Sequence, residues 1–292
     1  MKRRTFLVGS VLLAGVTPAA LAGGIRITVT PPSPQPGDVV LLDVSGAPPD
    51  ARVDWDGRAL AVFPTAHGVA ALVGLDLDVR AGLIGWRVTR PSVAKNGGAL
   101  AAGAVTVRSR TFPLQQLTLP KNMVDLDAAT LARIEAERRE LDAALAAGAG
   151  ERLWHGPFRT PVEGGQPTGG YGLRRLINGQ PRSPHTGYDW AAPAGTPVLA
   201  ANAGRVALVA EHFFAGRNVM LDHGLGLFTL YFHLTEVRVA LGESVEAGQV
   251  IGTVGATGRV TGPHLHFAVL LNGARVDPES LLRLAPPEER SS

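Results

Sequence analysis

"TGPHLHF", residues 261–267, places His264 and His266 one residue apart in a segment with the character of a strand. Successive strand side chains point to opposite faces, so these two imidazoles would share one face, roughly 6.6 Å apart. A pair of surface or core histidines is the simpler interpretation. The alternative is a metal site that leaves one of the two histidines for chemistry, and the rest of the sequence has to decide between them.

A second segment, "PHTGYDW" (184–190), offers His185 and Asp189. On a straight strand these two residues would lie about 13 Å apart, too far to share one ion. A helix would bring them together, but proline and glycine in the segment disfavour a helix. The pair can therefore serve one metal only if the chain bends at Gly187.

A third segment, "TLYFHL" (229–234), ends an apolar run with His233. A catalytic zinc typically takes three protein ligands from His and carboxylate and keeps a fourth position open for water. Five candidate residues thus provide three ligands and leave two histidines for proton transfer. Spacing alone does not say which of His264 and His266 would bind the metal.

The composition fits a turn-rich β protein with two domains and a metal site free of thiolates. The chain has 292 residues, of which 45% are hydrophobic, with 36 Gly and 22 Pro, a mixture that favours many short strands. It contains no cysteine, so any metal site must use histidine and carboxylate.

The N-terminus, residues 1–22, has the features of an export signal. A basic start precedes a short apolar run, and "ALA" (20–22) fits a cleavage site. The paired Arg3 and Arg4 leave both the Sec and the twin-arginine route open. No cysteine follows the cleavage site, so no lipid attachment and no stable membrane anchor are expected after signal removal. The oligomeric state stays open.

The mature chain is predicted to be electrically balanced. The full sequence has 28 Lys and Arg against 25 Asp and Glu, and three of the basic residues lie in the signal, which leaves 25 of each sign. Nothing in this balance indicates nucleic-acid binding. The export signal leads us to expect a periplasmic, wall-associated or extracellular protein, and the charge balance leads us to expect no nucleic-acid partner.

The domain organisation is predicted from changes in pattern along the chain. Residues 23–112 contain short β-prone runs separated by turns, which predict an Ig-like β-sandwich with an accessory role. Residues 113–150 form an extended connector and a helix over 125–148, and 151–285 form an antiparallel β domain, followed by a tail over 286–292. The predicted fold class is therefore mainly β, with a linker helix between two β domains.

The second half of the chain closely resembles the lysostaphin/LytM-like zinc endopeptidases, which cut peptidoglycan peptides. The resemblance runs from about Pro167 to Pro278. Its motifs follow in the family's order: H-x-G-x-D, "GTPVLAANAGRV", "LDHGLG", "YFHL", "VEAGQVIGTVGATGRVTGPHLHF" and "NGARVDP". The N-terminal sandwich is similar, more weakly, to the leading domain of some exported members.

This resemblance implies a role for each of the five candidates. His185 and Asp189 match the zinc ligands of H-x-G-x-D, and His266 matches the third ligand. His264 and His233 match the histidines beside a zinc-activated water, which implies acid–base and charge-stabilising roles. The implied protein is an exported endopeptidase with Zn²⁺ as cofactor that hydrolyses peptide cross-links of bacterial peptidoglycan.

Three further positions follow from the same comparison. His223 matches a family histidine that is not a ligand, which implies a structural role. Many members carry Glu after HLHF where this chain has Ala268. This chain therefore lacks a carboxylate that could orient a metal ligand from outside the donor set. Asn178 lies just upstream of the site and is a candidate for polarising the scissile carbonyl.

Three rival functions remain to be weighed. "VEAGQVIGTVG" is similar to the hairpins of biotinyl and lipoyl carriers, but the chain has no lysine after Lys121 to modify. A sugar-binding module would leave the five-residue pattern unexplained. A catalytically inactive relative that binds cell wall and activates another wall hydrolase is the main alternative, although all five positions are intact.

Overall fold

The computed structural model describes residues 24–91, 98–118 and 126–288. The predicted signal peptide (1–22) and residues 289–292 of the predicted tail lie outside the described residues. As predicted, the fold is mainly β: the described part has 22 strands and two helices, α1 (Ala128–Ala146) and α2 (Pro278–Leu282). Neither of these helices combines the length and the apolar character that crossing a membrane requires.

The N-terminal part folds into two antiparallel four-stranded sheets that enclose a hydrophobic core, in agreement with the predicted β-sandwich. Its Ig-like character stays a prediction. In spatial order, the first sheet contains β1 (Arg26–Thr30), β2 (Val39–Ser45), β6 (Gly68–Gly74) and β5 (Val62–Thr65). The second contains β4 (Arg58–Leu60), β3 (Arg52–Trp55), β7 (Gly82–Arg90) and β8 (Gly98–Val107).

The first sheet is buried on both faces because it lies between the sandwich core and the C-terminal half. Leu42 and Val73 point into the sandwich core. Their neighbours Leu41 and Leu72 point to the other face, into the core that contains Trp154 of the C-terminal half. Double burial explains why β2 and β6 are continuous apolar runs and not alternating patterns. The N-terminal sandwich therefore shares a core with the C-terminal half.

The C-terminal half is built on an eight-stranded antiparallel sheet, as predicted for this domain. In spatial order its strands are β10 (Gln166–Gly169), β13 (Tyr188–Ala191), β21 (Leu265–Leu271), β17 (Leu227–Leu234), β16 (Gly216–Asp222), β15 (Gly204–His212) and β19 (Ser244–Val245), with β22 (Ala274–Val276) paired to β21. A small sheet beside it contains β14 (Pro197–Leu199), β20 (Val250–Thr253) and β18 (Glu236–Val237).

The segment predicted as a plain connector contributes a strand to the C-terminal half. Strand β9 (Leu114–Leu117) pairs in parallel with β11 (Arg174–Ile177), which pairs antiparallel with β12 (Gln180–Arg182). This parallel pair departs from the antiparallel pattern predicted for the domain. It anchors the connector beside the segment that leads to His185.

Helix α1 covers the outer face of the main sheet. Asp127 caps it by accepting a hydrogen bond from the Thr130 amide at 2.7 Å. Leu141 and Leu145 pack against a cluster of sheet side chains that includes Phe228. The helix is shorter than the predicted span of 125–148 and, by packing on this sheet, belongs to the C-terminal half.

Candidate metal centre

Strand pairing places two of the three candidate ligands in one row across the main sheet. Asp189 on β13 lies opposite His266 on β21, and His266 lies opposite Phe232 on β17. On the other side of Asp189, its register partner is Gly169 on β10. Residues directly opposite each other in antiparallel strands present their side chains on the same face. The sheet register therefore brings together residues that lie far apart in the sequence.

Three donor atoms converge at this row. Asp189 Oδ1 lies 2.8 Å from His266 Nδ1 and 3.1 Å from His185 Nε2, and the two histidine nitrogens are 2.9 Å apart. Donor atoms on a tetrahedral zinc with bonds of about 2.0–2.1 Å are roughly 3.3 Å apart. The triangle is thus close to the size that a zinc ion requires.

Two glycines make room for this triangle. A Cβ at Gly187 would lie 2.5 Å from His266 Nε2, and a Cβ at Gly169 would lie 2.5 Å from Asp189 Oδ2. Real Cβ atoms do not approach so closely, and any other residue would displace a donor group. The sequence prediction of a bend at Gly187 is consistent with this close approach, whereas Gly169 carried no recognisable signal.

Contacts beyond the triangle fix the two rings. His185 Nδ1 donates to the Gly170 carbonyl oxygen at 2.8 Å, which leaves the lone pair of Nε2 directed at the other donors. The His266 ring stacks on Phe232, with centroids 5.2 Å apart and an interplanar angle of 8°. Such outer contacts set the tautomer and the orientation of metal-binding histidines. Sequence reasoning missed Phe232, although it lies in the quoted segment "TLYFHL".

The electrostatics favour an ionised carboxylate at Asp189 and disfavour protonation of the buried His266 ring. Burial alone would raise the pKa of Asp189, but hydrogen bonds and charge from His185 and His266 hold it well below its usual range. Burial lowers the pKa of His266, against the opposing effect of Asp189. A deprotonated carboxylate and unprotonated imidazoles are the forms that bind a metal ion.

The other two candidate histidines lie against the triangle. The His233 and His264 rings are 4.8 Å apart between centroids, and His264 Nε2 lies 3.8 Å from Asp189 Oδ1. His233 Nδ1 donates to the Thr257 carbonyl oxygen and His264 Nδ1 to that of Gly262, both at 2.9 Å. All five residues singled out from the sequence therefore meet in one site.

His233 occupies an unusual backbone position. Its φ is +64°, in the left-handed region that L-residues rarely adopt, and its amide donates to the Ala215 carbonyl oxygen. Burial lowers its pKa to about 4, so the ring is neutral at neutral pH. A neutral ring with Nδ1 occupied offers Nε2 as a proton acceptor.

The position of Ala268 explains the absence of a carboxylate there. Ala268 is buried beneath α1 in an apolar cluster with Met220, Leu230 and Leu270. A glutamate at this point would bury a charge among apolar side chains, which is costly without a partner. The outer contacts of the site come from Gly170 and other backbone groups instead.

Asn178 lies in the turn between β11 and β12. Asn178 and Gly179 both have positive φ, +52° and +77°, as the two central residues of a type I′ hairpin turn require. Turn geometry thus accounts for an asparagine at this position. Its suggested action on the scissile carbonyl stays a prediction.

His223 lies outside the site and is fully buried. Its Nδ1 donates to the Ala203 carbonyl oxygen at 2.7 Å, and its Nε2 lies 2.7 Å from the Thr229 hydroxyl. Both ring nitrogens are engaged within the protein, in keeping with the structural role implied by the resemblance. Burial lowers the pKa of His223 to about 4.

This burial predicts an acid sensitivity that His223→Gln should reduce. The unfolded state binds a proton near pH 6.5 and the folded state only near pH 4, so stability is present above pH 6.5 and is lost as pH falls to 4. The shift in pKa corresponds to a loss of about 3 kcal/mol in the free energy of unfolding at pH 4. Urea unfolding of wild type, His223→Gln and the exposed control His67→Gln at pH 7 and pH 4 measures it. Equal losses in all three proteins would contradict the prediction.

The donor set fits Zn²⁺ as the cofactor. Among the described residues, His185, Asp189 and His266 form a group able to hold a metal ion, with ligand atoms within 4.8 Å of one another. Two imidazole nitrogens and one carboxylate oxygen are typical of catalytic zinc sites, and hard cations such as Mg²⁺ and Ca²⁺ prefer oxygen ligands.

Comparisons with known proteins agree with this chemistry. Residues 183–278 match the model of peptidase family M23. Peptidoglycan DD-endopeptidase ShyC of Vibrio cholerae is 41% identical over 126 residues, which are 42% of this chain and 29% of ShyC. An uncharacterized metalloprotease of Haemophilus influenzae is 43% identical over 106 residues, 36% of this chain and 22% of that protein. The chain thus spans less than a third of these curated relatives.

One solved structure matches almost the entire chain. It is a Pseudomonas aeruginosa protein described as a peptidase M23, with 33% sequence identity and a TM-score of 0.66. The likeness covers 86% of this chain and 95% of that one, so it includes the N-terminal sandwich as well as the metal centre. On the combined evidence of this likeness, the family match and the convergent His/Asp/His group, the chain belongs to peptidase family M23.

Proposed function

We propose that the protein is an exported zinc endopeptidase that hydrolyses peptide cross-links of bacterial peptidoglycan. Its ligands would be His185, Asp189 and His266, and its acid–base residues His233 and His264. The supporting names are those of relatives such as ShyC, a peptidoglycan DD-endopeptidase. The sandwich, residues 23–112, serves in this proposal as an accessory domain.

The observation that carries the proposal is the juxtaposition of two kinds of group. Three metal-binding donor atoms lie within 3.1 Å of one another. The rings of His233 and His264 lie beside them, and neither ring is needed to complete the donor set. A structural metal site would be closed by a fourth protein ligand, whereas a catalytic site keeps a position open beside acid–base groups.

Each residue has a chemical task in this scheme. When bound, Zn²⁺ supplies a Lewis acid that lowers the pKa of water and polarises a carbonyl group. His233, neutral and held by Thr257, accepts a proton from the attacking water at Nε2. His233 then returns this proton to the departing amine, while His264, oriented by Gly262, stabilises the charge that develops on the substrate when its Nε2 carries a proton.

The rival view of an inactive relative that activates another hydrolase has little support. The relatives reported above carry names of peptidases and not of activators. All five proposed residues converge in the described site, which supports catalysis over an activating role. Export, by either the Sec or the twin-arginine route, belongs to the proposal because an enzyme of this specificity must reach the wall.

Digestion of purified cell walls tests the function. We expect the zinc-loaded protein to release monomeric peptides from cross-linked walls of at least one chemical type, identified by mass spectrometry. Protein stripped of zinc with a chelator is expected to be inactive, and added zinc should restore activity. Wall degradation by metal-free protein, or no released peptide from any wall type, would contradict the proposal.

A further inference from the structure

A groove lined by arginines lies next to the metal centre. We call it the arginine groove and define it by Arg110, Arg174, Arg175 and Arg182, which line a cavity of about 620 Å³ together with apolar side chains. Asp78 is the acidic residue among the described residues of its lining. The groove therefore carries an excess of positive charge.

The arginines of the groove are unequally neutralised. Arg110 forms an ion pair with Asp277 at 2.8 Å. Arg182 donates to the Gln180 side chain and to the Pro181 carbonyl oxygen, neither of which carries a charge. Within the described ranges, neither Arg182 nor its neighbours Arg174 and Arg175 has a carboxylate at ion-pair distance. Three guanidinium groups of the groove are thus outside ion pairs within the described part of the chain.

Arg175 is the arginine of the groove whose guanidinium group is least well satisfied. Its Nε atom is buried and, among the residues that the structure describes, has no hydrogen-bond partner. A buried donor without a partner costs on the order of 1–3 kcal/mol, which favours a shift of this side chain when an acceptor enters the groove. Arg175 also lies directly opposite Arg182 in the β11–β12 hairpin, and like charges in such a pair destabilise the hairpin. Both features favour a ligand with a negative charge.

The groove borders the metal centre. Pro184 lines it and is followed directly by His185, whose amide donates to the Leu173 carbonyl oxygen, one residue before Arg174. Arg175 interacts electrostatically with Asp189. A substrate peptide whose scissile bond lies at the metal centre can therefore extend into the groove.

We propose that the arginine groove binds a carboxylate of the substrate peptide, away from the scissile bond, through Arg175 and Arg182. This inference rests on the proposed function, because it assigns the substrate class of the same site: an anionic peptide. Arginine suits the task since its planar guanidinium can hold a carboxylate by two parallel hydrogen bonds. Cross-linked wall peptides with free carboxyl groups meet this requirement.

The test compares two forms of one substrate. Purified cross-linked peptide dimers are used with their carboxylates free or converted to amides. Wild type is expected to cleave the free form with a kcat/KM roughly 10- to 100-fold higher, the range for a charge-assisted hydrogen bond. Most of the difference should appear in KM, because the groove binds and does not react.

Variants locate the preference. Arg175→Gln and Arg182→Gln are expected to cleave both forms at the rate of the amidated one while retaining wild-type zinc content. Arg175→Lys keeps the charge without the planar fork and should fall in between. Arg90→Gln, the same change at an exposed position of the sandwich, should leave the preference intact. A preference that survives in both glutamine variants would overturn the inference, as would equal rates of cleavage of the two forms by wild type.

Binding separates this inference from the proposed function. The His233→Asn variant, which we expect to cleave too slowly to interfere, is titrated with each dimer by calorimetry. The same titrations are repeated after Arg175→Gln or Arg182→Gln is added to this variant. Tighter binding of the free form that is lost with Arg175→Gln supports the groove even if wild type cleaves neither dimer. Equal binding of both forms would refute the groove, whether or not cleavage occurs.

Discussion

His266→Ala protein is expected to lose its zinc and its peptidase activity together. Removing His266 leaves two donors, His185 and Asp189, where a catalytic zinc requires three. Loss of an outer contact already lowers metal affinity roughly 10- to 100-fold, and loss of a ligand should cost more. Elemental analysis after dialysis and turnover on the same preparation measure both effects. Asp189→Ala and His185→Ala are expected to behave alike.

The control for this prediction is His67→Ala, the same change at an exposed position of the sandwich, which should retain zinc and activity. Excess zinc is expected to restore part of the activity of His266→Ala, because weakened binding responds to concentration. One tightly held zinc per chain in His266→Ala would show that the ligand assignment is wrong.

The second large effect is expected for His233 and His264, whose loss should spare the metal. Removing one acid–base group usually lowers the rate about 10²–10⁴-fold. Zinc content should remain at one per chain, since the donor triangle does not include either ring. Because His233 has a φ of +64°, His233→Asn is the better variant: asparagine tolerates the left-handed region, and alanine would add strain.

A zinc titration of the variants separates the two kinds of defect. Added zinc should not rescue His264→Ala, whose occupancy is intact, but should partly rescue His266→Ala. The opposite pattern, with zinc rescuing His264→Ala and His266→Ala inactive with metal bound, would require the two roles to be exchanged. Loss of zinc in His233→Asn would remove that residue from the proposed acid–base pair.

The sequence by itself determined the fold class and the candidate residues. Turn-bounded β-prone runs predicted the sandwich, and the HLH pair shows why two histidines can meet on one face of a strand. The pattern of residues 125–148 located α1, though not its ends. These signals are local because they depend on residues within a few positions of one another. The fold class and the candidate residues can therefore be predicted without knowledge of the tertiary contacts.

The tertiary structure alone decided what the candidates have in common. Strand β6 carries no alternation because it is buried on both faces by two different cores, which only domain packing creates. Two atoms of the triangle, from Asp189 and His266, depend on the register of β13 and β21, and the third depends on the hydrogen bond that joins the His185 amide to Leu173. Arg175 and Arg182 likewise lie opposite each other only because the β11–β12 hairpin pairs them. Register and burial arise from long-range packing, which no local pattern of side chains specifies.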